Sequence, residues 1–306
     1  MLDRDQLEAF VAVVEQQSFE RAAASLSITR GAISQRIKLL EETLSAVLLI
    51  RERPVLPTAA GEILLRHAKA LRLLELEVYH QIAPSGMRDQ RARLAVGVNA
   101  DSLATWFGAC AAQLIQSLPV ALEVLVEDQD HTWPMLLRGE VIGCVSTESK
   151  PTQGFEAVQL GAMIYRCVAA PAFAQAHFPH GLRTREAVAV PAILYNRRDA
   201  LHDEFLRHLF DVEIERYVRH YFPSPSALLK AIEMGCGYGV VPSDQVQTHL
   251  ESGRLVDLAP HSPLRVPLYW HHWRHEPPLA QKITKAIIQS ARTVLGFDKA
   301  HGAQSA

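Results

Sequence analysis

A chain of 306 residues, 48% hydrophobic and 21% charged, is long enough for a small module and one or two larger units with packed cores. The formal net charge of −2, and seven Lys/Arg against eight Asp/Glu in residues 1–58, exclude a globally basic nucleic-acid binder; any DNA affinity depends on where the cations sit. Cys110, Cys144, Cys167 and Cys236 form no C-x-x-C pair, Asp3, Arg4 and Asp5 interrupt the start, and no apolar run approaches the ~20 residues of a bilayer span. A zinc or disulfide framework, a signal peptide and a membrane span are not expected, and a reducing cytoplasm is.

In chain order, residues 5–16 read as a first helix with Leu7, Phe10, Val11 and Val14 on one face. Residues 19–44 read as two further helices joined by a tight connection. Ala22, Ala23 and Leu26 are apolar on one, and Ile33, Ile37 and Leu40 repeat at helical spacing on the other. Ser18 and Thr29 stand where N-caps belong. Small residues at the junction let the pair cross closely, as a helix-turn-helix requires. Opposite its apolar stripe the second helix carries Arg30, Ser34, Gln35, Arg36 and Lys38, a basic, hydrogen-bonding face suited to the DNA major groove. In 47–58, two short apolar pieces flank Arg51-Glu52-Arg53-Pro54, which predicts a β-wing with a charged tip. Residues 1–58 thus form a winged helix-turn-helix DNA-binding domain.

Thr58 opens a helical stretch to about Ile82, roughly 37 Å long. Its apolar residues Leu64, Ala68, Leu71, Leu74 and Val78 are close to heptad spacing. This predicts a dimer-forming linker helix, ended by Ala83-Pro84-Ser85-Gly86, so that 59–91 comprise linker and hinge. From Leu94 onward strands alternate with helices, an α/β pattern. Strands are expected at 94–99, 121–127, 141–146, 163–169, 192–195, 216–221, 238–241 and 266–270, and helices at 103–117, 203–209, 226–234 and 281–293.

The spread of Phe19, Ala22-Ala23, Leu26, Ala32, Ser34, Ile37, Leu40-Glu41, Leu44, Leu48, Arg51, Thr58 and Gly61 resembles the LysR-type transcriptional regulators. The stretches FERAAASLSIT, SQRIK, NADSLATW (99–106), VED (126–128) and LYWH (268–271) are most similar to the ArgP/LysG branch, whose members respond to basic amino acids. The resemblance covers nearly the whole chain. It implies two α/β subdomains like a periplasmic binding protein, one of 92–165 plus 266–296 and one of 166–265, with crossings near 164–170 and 258–267. It also implies a homodimer or homotetramer on double-stranded DNA, RNA polymerase as a possible partner, and target genes for amino-acid export or metabolism. Arg30 and Gly31 depart from the family's usual Gln and small residue or Pro, Ser45 from a frequent Gly, and Leu49-Ile50-Arg51 from Phe-x-Arg. Arg at position 30 favours guanine where Gln favours adenine.

Base edges are reached from the N-terminal end of a recognition helix, which selects Arg30, Ser34 and Gln35, with Gly31 permitting close backbone approach. Thr29, Arg36, Lys38, Arg51 and Arg53 suit phosphates. In open α/β sheets ligands sit beyond the carboxyl ends of strands. That rule selects Asn99, Asp101, Ser102, Glu127, Asp128, Ser146, Thr147, Tyr195 and Asn196. Ser224 and Ser226 open a helix that could hold a carboxylate. The cationic groups of lysine or arginine need acids, for which Asp101, Glu127, Asp128, Asp199 and Asp203 are the candidates.

Gly235-Cys236-Gly237-Tyr238-Gly239 resembles a nucleotide loop, but helix, glycines, then strand is the reverse of the Rossmann order. His271 and His272 fall on opposite faces of a strand, which disfavours a metal. No cofactor, metal or catalytic motif is expected, so the chain does not read as an enzyme. The competing reading within the family is a replication-initiation or chromosome-associated DNA-binding protein.

Overall fold

The computed structural model describes residues 2–82, 91–126, 132–212, 214 and 216–296. The N-terminal module comprises α1 (Arg4–Gln16), α2 (Phe19–Ser25), α3 (Arg30–Leu44), β1 (Leu49–Ile50) and β2 (Leu56–Pro57). Each helix starts where a side chain replaces a missing backbone partner. Asp3 accepts from the Gln6 N–H at 3.0 Å, Ser18 from Arg21 at 3.4 Å and Thr29 from Ala32 at 3.1 Å. Helices α1 and α3 end on left-handed residues, Gln17 and Ser45. Phe10, Val13, Ala22, Ile33, Ile37 and Leu40 are fully buried together, at about 1.5–3 kcal/mol for each large side chain. The wing is the antiparallel β1–β2 pair, with Leu49 opposite Pro57.

Helix α4 (Ala59–Ile82) is capped by Thr58, whose Oγ1 accepts from the Gly61 N–H at 3.1 Å and donates to the Val47 carbonyl at 2.7 Å. A Cβ at Gly61 would lie 2.2 Å from the Leu48 carbonyl oxygen, so only glycine lets helix and wing approach this closely. The expected seam divides. Leu64 and Ala68 are buried in the N-terminal core, whereas Leu71, Leu74 and Val78 are exposed and continue to Ile82. The helix is also no isolated rod. Arg66 donates to the Leu137 carbonyl at 3.0 Å and lies over the Phe155 ring, and Lys69 donates to the Gly139 carbonyl at 2.6 Å. The expected hinge residues 83–90 lie outside the described residues.

The remainder runs β3 (Ala92–Val98), α5 (Ala100–Ser102), a π-helical turn (Leu103–Phe107), α6 (Gly108–Ser117), β4 (Val120–Val126), α7 (Thr132–Leu137), β5 (Gly143–Ser146) and β6 (Phe155–Ala169). Then follow α8 (Pro171–His177), α9 (Thr184–Ala189), β7 (Ala192–Leu194), α10 (Leu201–Phe210), β8 (Arg219–Tyr221), α11 (Pro225–Glu233), β9 (Gly239–Pro242), α12 (Ser243–Glu251), β10 (Val256–Asp257), β11 (Leu264–Trp273) and α13 (Pro278–Leu295). In the first lobe β4, β3 and β5 are parallel, and β5 pairs antiparallel with β11, which pairs antiparallel with β6. In the second, the end of β6 pairs with β9 and β10, while β7 pairs with β8 and bridges to Tyr238 beside β9. The strand β6 therefore belongs to both lobes.

Three expectations need correcting. β6 begins at Phe155, eight residues before the expected start, because Gly161 (φ 140°) and a bulge opposite Leu268/Tyr269 interrupt the alternation. The helix expected over 103–117 starts at Ala100 and contains the π turn. Helices α7, α8 and α9 are too short to show a period, and α12 is mostly polar, so none was expected. The glycine run around Tyr238 is the helix-to-strand turn that its order in the sequence implies: a Cβ at Gly237 would lie 2.5 Å from the Pro191 carbonyl.

Candidate DNA-reading face and effector cleft

On α3 the buried Ile33, Ile37 and Leu40 turn Arg30, Gly31, Ser34, Gln35 and Lys38 together to the surface. Arg30 pairs with Glu20 at 3.1 Å and Lys38 with Glu42 at 3.6 Å, both with more than half of each side chain exposed. Such pairs contribute only ~0–1 kcal/mol, so neither cation is tied down. A Cβ at Gly31 would meet only the Thr29 hydroxyl at 3.8 Å, leaving open space over the helix start. Thr29 spends its hydroxyl on the cap. Arg36 stands apart from this face, half-buried and bonded to Asp5 of α1 at 2.6 Å.

The wing is braced from α3. The mostly buried Glu41 carboxylate accepts from the Leu48 N–H at 2.9 Å and from Arg51 Nη2 at 2.8 Å. Arg51 also lies 6.0 Å from the Phe19 ring centroid, so it has an internal role that its sequence position did not reveal. Arg53 is exposed at the wing tip.

The second cluster surrounds the turn after β3. Asn99 stands in the N-cap position of α5, yet its side chain makes no cap bond, and its Oδ1 has no partner although only 5% of the residue is exposed. Ser102 is fully buried, and its Oγ also lacks a partner, as does Trp106 Nε1 in the π turn. Buried polar atoms are normally satisfied, so these three groups around one turn are the polar atoms there with hydrogen-bonding capacity left over. Between them, Asp101 Oδ2 accepts from Tyr165 Oη at 2.9 Å. Desolvation raises the Asp101 pKa to about 6; the Tyr165 hydrogen bond opposes the rise and the charge of Asp199 adds to it. Asp199 belongs to the second lobe, where its carboxylate accepts from the Leu201 N–H at 2.9 Å and the Tyr195 N–H at 3.4 Å. Two carboxylates of opposite lobes thus sense each other, an arrangement that favours a cation between them.

The other expected cleft residues are scattered in role. Ser146 is buried at the end of β5 and accepts from the Glu148 N–H at 3.1 Å, with Thr147 beside it. Asn196 accepts from the N–H groups of Arg198 and Asp199, shaping the Tyr195–Asp199 turn. Ser224, not Ser226, caps α11, accepting from Ala227 at 3.5 Å, while Ser226 is exposed in its first turn. Asp203 Oδ1 accepts from Tyr217 Oη at 2.5 Å and from Arg219 Nη2 at 3.0 Å, so this acid already has a cationic partner within its own lobe. Glu127 and Asp128 lie outside the described residues. Tyr165 was missed, since a lone tyrosine in a strand carries no sequence signal of a functional partner. Among the described residues no group of three or more His, Cys, Asp or Glu could hold a metal ion. His271 bonds the Glu148 carbonyl, and His272 approaches Glu276 at 3.3 Å. No described helix is long and apolar enough to cross a membrane.

The family of bacterial regulatory helix-turn-helix proteins of the lysR type matches residues 4–62, and the LysR substrate-binding domain matches residues 39–292. The chain belongs to the LysR family. Within it, the chain is similar to regulators of the ArgP/LysG kind. It is 39% identical over 294 residues to the HTH-type transcriptional regulator ArgP of Pseudomonas fluorescens, covering 95% of this chain and 97% of that protein. The crystal structure of ArgP from Mycobacterium tuberculosis superposes with a TM-score of 0.85 at 37% identity, over 95% of this chain and 98% of the other. Full-length LysG from Corynebacterium glutamicum with bound effector Arg superposes with a TM-score of 0.79 at 31% identity, over the same shares. This LysR protein is therefore a DNA-binding transcriptional regulator rather than an enzyme.

Proposed function

We propose that this LysR protein is a cytoplasmic regulator whose effector is a basic amino acid held between the two lobes. The observation that carries the reading is the desolvated Asp101 carboxyl, bonded by Tyr165 and sensing the charge of Asp199, in the same turn as the unpartnered Asn99 Oδ1 and Ser102 Oγ. Asp101 and Asp199 take the cationic groups, Asn99 and Ser102 hydrogen-bond the ligand, and the α11 N-terminus at Ser224 and Ser226 receives the carboxylate. Ser146, Thr147, Tyr195 and Asn196 complete the walls. The arginine held by the LysG relative supports this choice of class. Arg30, Gly31, Ser34 and Gln35 read base edges, Lys38 and the Thr29 backbone meet phosphates, and Arg51 and Arg53 do so from the wing. Arg36 is the weakest of the proposed contacts because it must first leave Asp5.

The exposed face of Leu71, Leu74, Val78 and Ile82 supports pairing of α4 with a second copy, giving a homodimer or a homotetramer on DNA. The chain divides accordingly into 1–58, a linker of 59–91, and an effector region whose lobes are 92–165 with 266–296 and 166–265. Effector closure alters the spacing of the DNA-reading heads and their contact with RNA polymerase at genes of amino-acid export or metabolism. Calorimetry with arginine, lysine and the uncharged isostere citrulline tests the reading: the two cations bind and citrulline does not. Equal binding of citrulline would remove the acid pair from the mechanism.

A further inference from the structure

At one residue β6 is paired on both sides. Tyr165 is in register with Leu264, where β11 begins its run into the first lobe, and with Pro242 of β9 in the second, so the strand changes partners there. Its ring is fully buried, and its hydroxyl ends on Asp101 Oδ2, at the mouth of the first lobe's strands. The next residue grips the other side: Arg166 donates to Asp257 Oδ2 at 2.7 Å and to Ser243 Oγ at 3.2 Å, both in the second lobe. Adjacent side chains on one strand thus face opposite ways, one bonded to the effector-site acid and one to the far lobe.

We infer that Tyr165 is a positioning residue that couples the charge state of Asp101 to the angle between the lobes, so that the effector's cation is read at the hinge as well as at the mouth of the cleft. The inference rests on Asp101 being the effector-site acid. An ionised Asp101 accepts a charge-assisted hydrogen bond from Tyr165 and fixes the ring; a protonated one accepts a weaker bond and frees it. Among the described residues, the titratable groups acting on Asp101 are Tyr165 and Asp199, and Asp199 stands on the opposite lobe. A bound cation holds Asp101 ionised and thereby holds the hinge in one setting.

The coupling can be tested first without ligand. A pair of probes, one on each lobe of the full-length protein, reports their separation from pH 5 to 8 in the unsubstituted protein, Tyr165→Phe and Asp101→Asn. The separation is expected to titrate near pH 6 in the unsubstituted protein and to be flat in both variants. Arginine added at pH 6 is then expected to bring the unsubstituted protein to its high-pH separation, and to bind Tyr165→Phe about tenfold more weakly. The Tyr165→Phe loss shrinks as pH rises to 8, which a merely structural defect would not do. An identical pH response in Tyr165→Phe, or no response in the unsubstituted protein, would overturn the coupling. Failure of arginine to bind the unsubstituted protein, with the pH response intact, would instead overturn the choice of effector.

Discussion

The DNA-reading face and the effector cleft are built in opposite ways. The first lies on one helix and an adjacent wing: Arg30, Gly31, Ser34, Gln35 and Lys38 share a surface because 3.6 residues per turn put them there. The second is assembled from segments far apart in the chain, with Asp101 after β3, Tyr165 in β6 and Asp199 after β7. The face is exposed, and its ion pairs are cheap to exchange. In the cleft, burial pushes the Asp101 carboxyl up to about 6. Local geometry therefore makes the exposed surface of α3, while packing between distant segments sets the charge state of the acid after β3.

Asp101→Asn should have the largest effect, because it removes a charge from a desolvated site. Arginine binding is expected to weaken by about 2–5 kcal/mol in calorimetry, and full-strength binding would remove Asp101 from the site. In the unsubstituted protein the affinity should rise as pH increases through about 6, with proton release on binding, since the cation selects the ionised form. The linkage to stability has the opposite sign to a salt-bridged acid. The folded protein holds the Asp101 proton more tightly than the unfolded chain between about pH 4 and 6, so stability falls as pH rises through that window. Asp101→Asn abolishes that fall and should stabilise the ligand-free protein at pH 7 by at most ~3 kcal/mol in denaturant melts.

The junction of wing and linker helix has a comparably sensitive point, and it is steric. Gly61→Ala would force a Cβ into the Leu48 carbonyl, and a loss of about 3 kcal/mol in thermal unfolding is expected, together with weakened DNA binding. A melting temperature within a degree of the unsubstituted protein would show that the wing can retreat. Arg30→Ala sharpens the comparison from the other side. It should cost ~1–3 kcal/mol at a single base pair with the fold intact, and equal weakening on all sequences would reassign Arg30 to the backbone. Thr29→Ala removes only the α3 cap and should cost about 1 kcal/mol of stability. No measurable loss would show that the helix start is held by packing alone.

The N-terminal module was legible almost to the residue. The caps Ser18 and Thr29, the stripe Ile33, Ile37 and Leu40, and the wing at 49–57 obey rules that reach no further than a few residues. The linker was legible as a helix but not in its packing. Leu64 and Leu71 are alike in sequence, and only contact with the N-terminal core buries the first and leaves the second exposed. In the effector region the end of β3 was legible, and with it the turn that carries Asn99, Asp101 and Ser102. The need for an acid named both Asp203, which pairs with Arg219, and Asp199, whose charge reaches Asp101, and local sequence gave no means of separating them.

Periodicity, capping chemistry and turn residues act over one or two turns of chain, so the amino-acid sequence by itself determined the helices of the reading head, their exposed basic face and the alternation of strands and helices that follows. Tertiary structure alone decided that the charge of Asp199 reaches Asp101, that Tyr165 sits where β6 changes partners, and that Arg51 answers to Glu41. Those facts depend on distances between residues tens to a hundred positions apart, and on the water excluded when they meet. No local pattern encodes either.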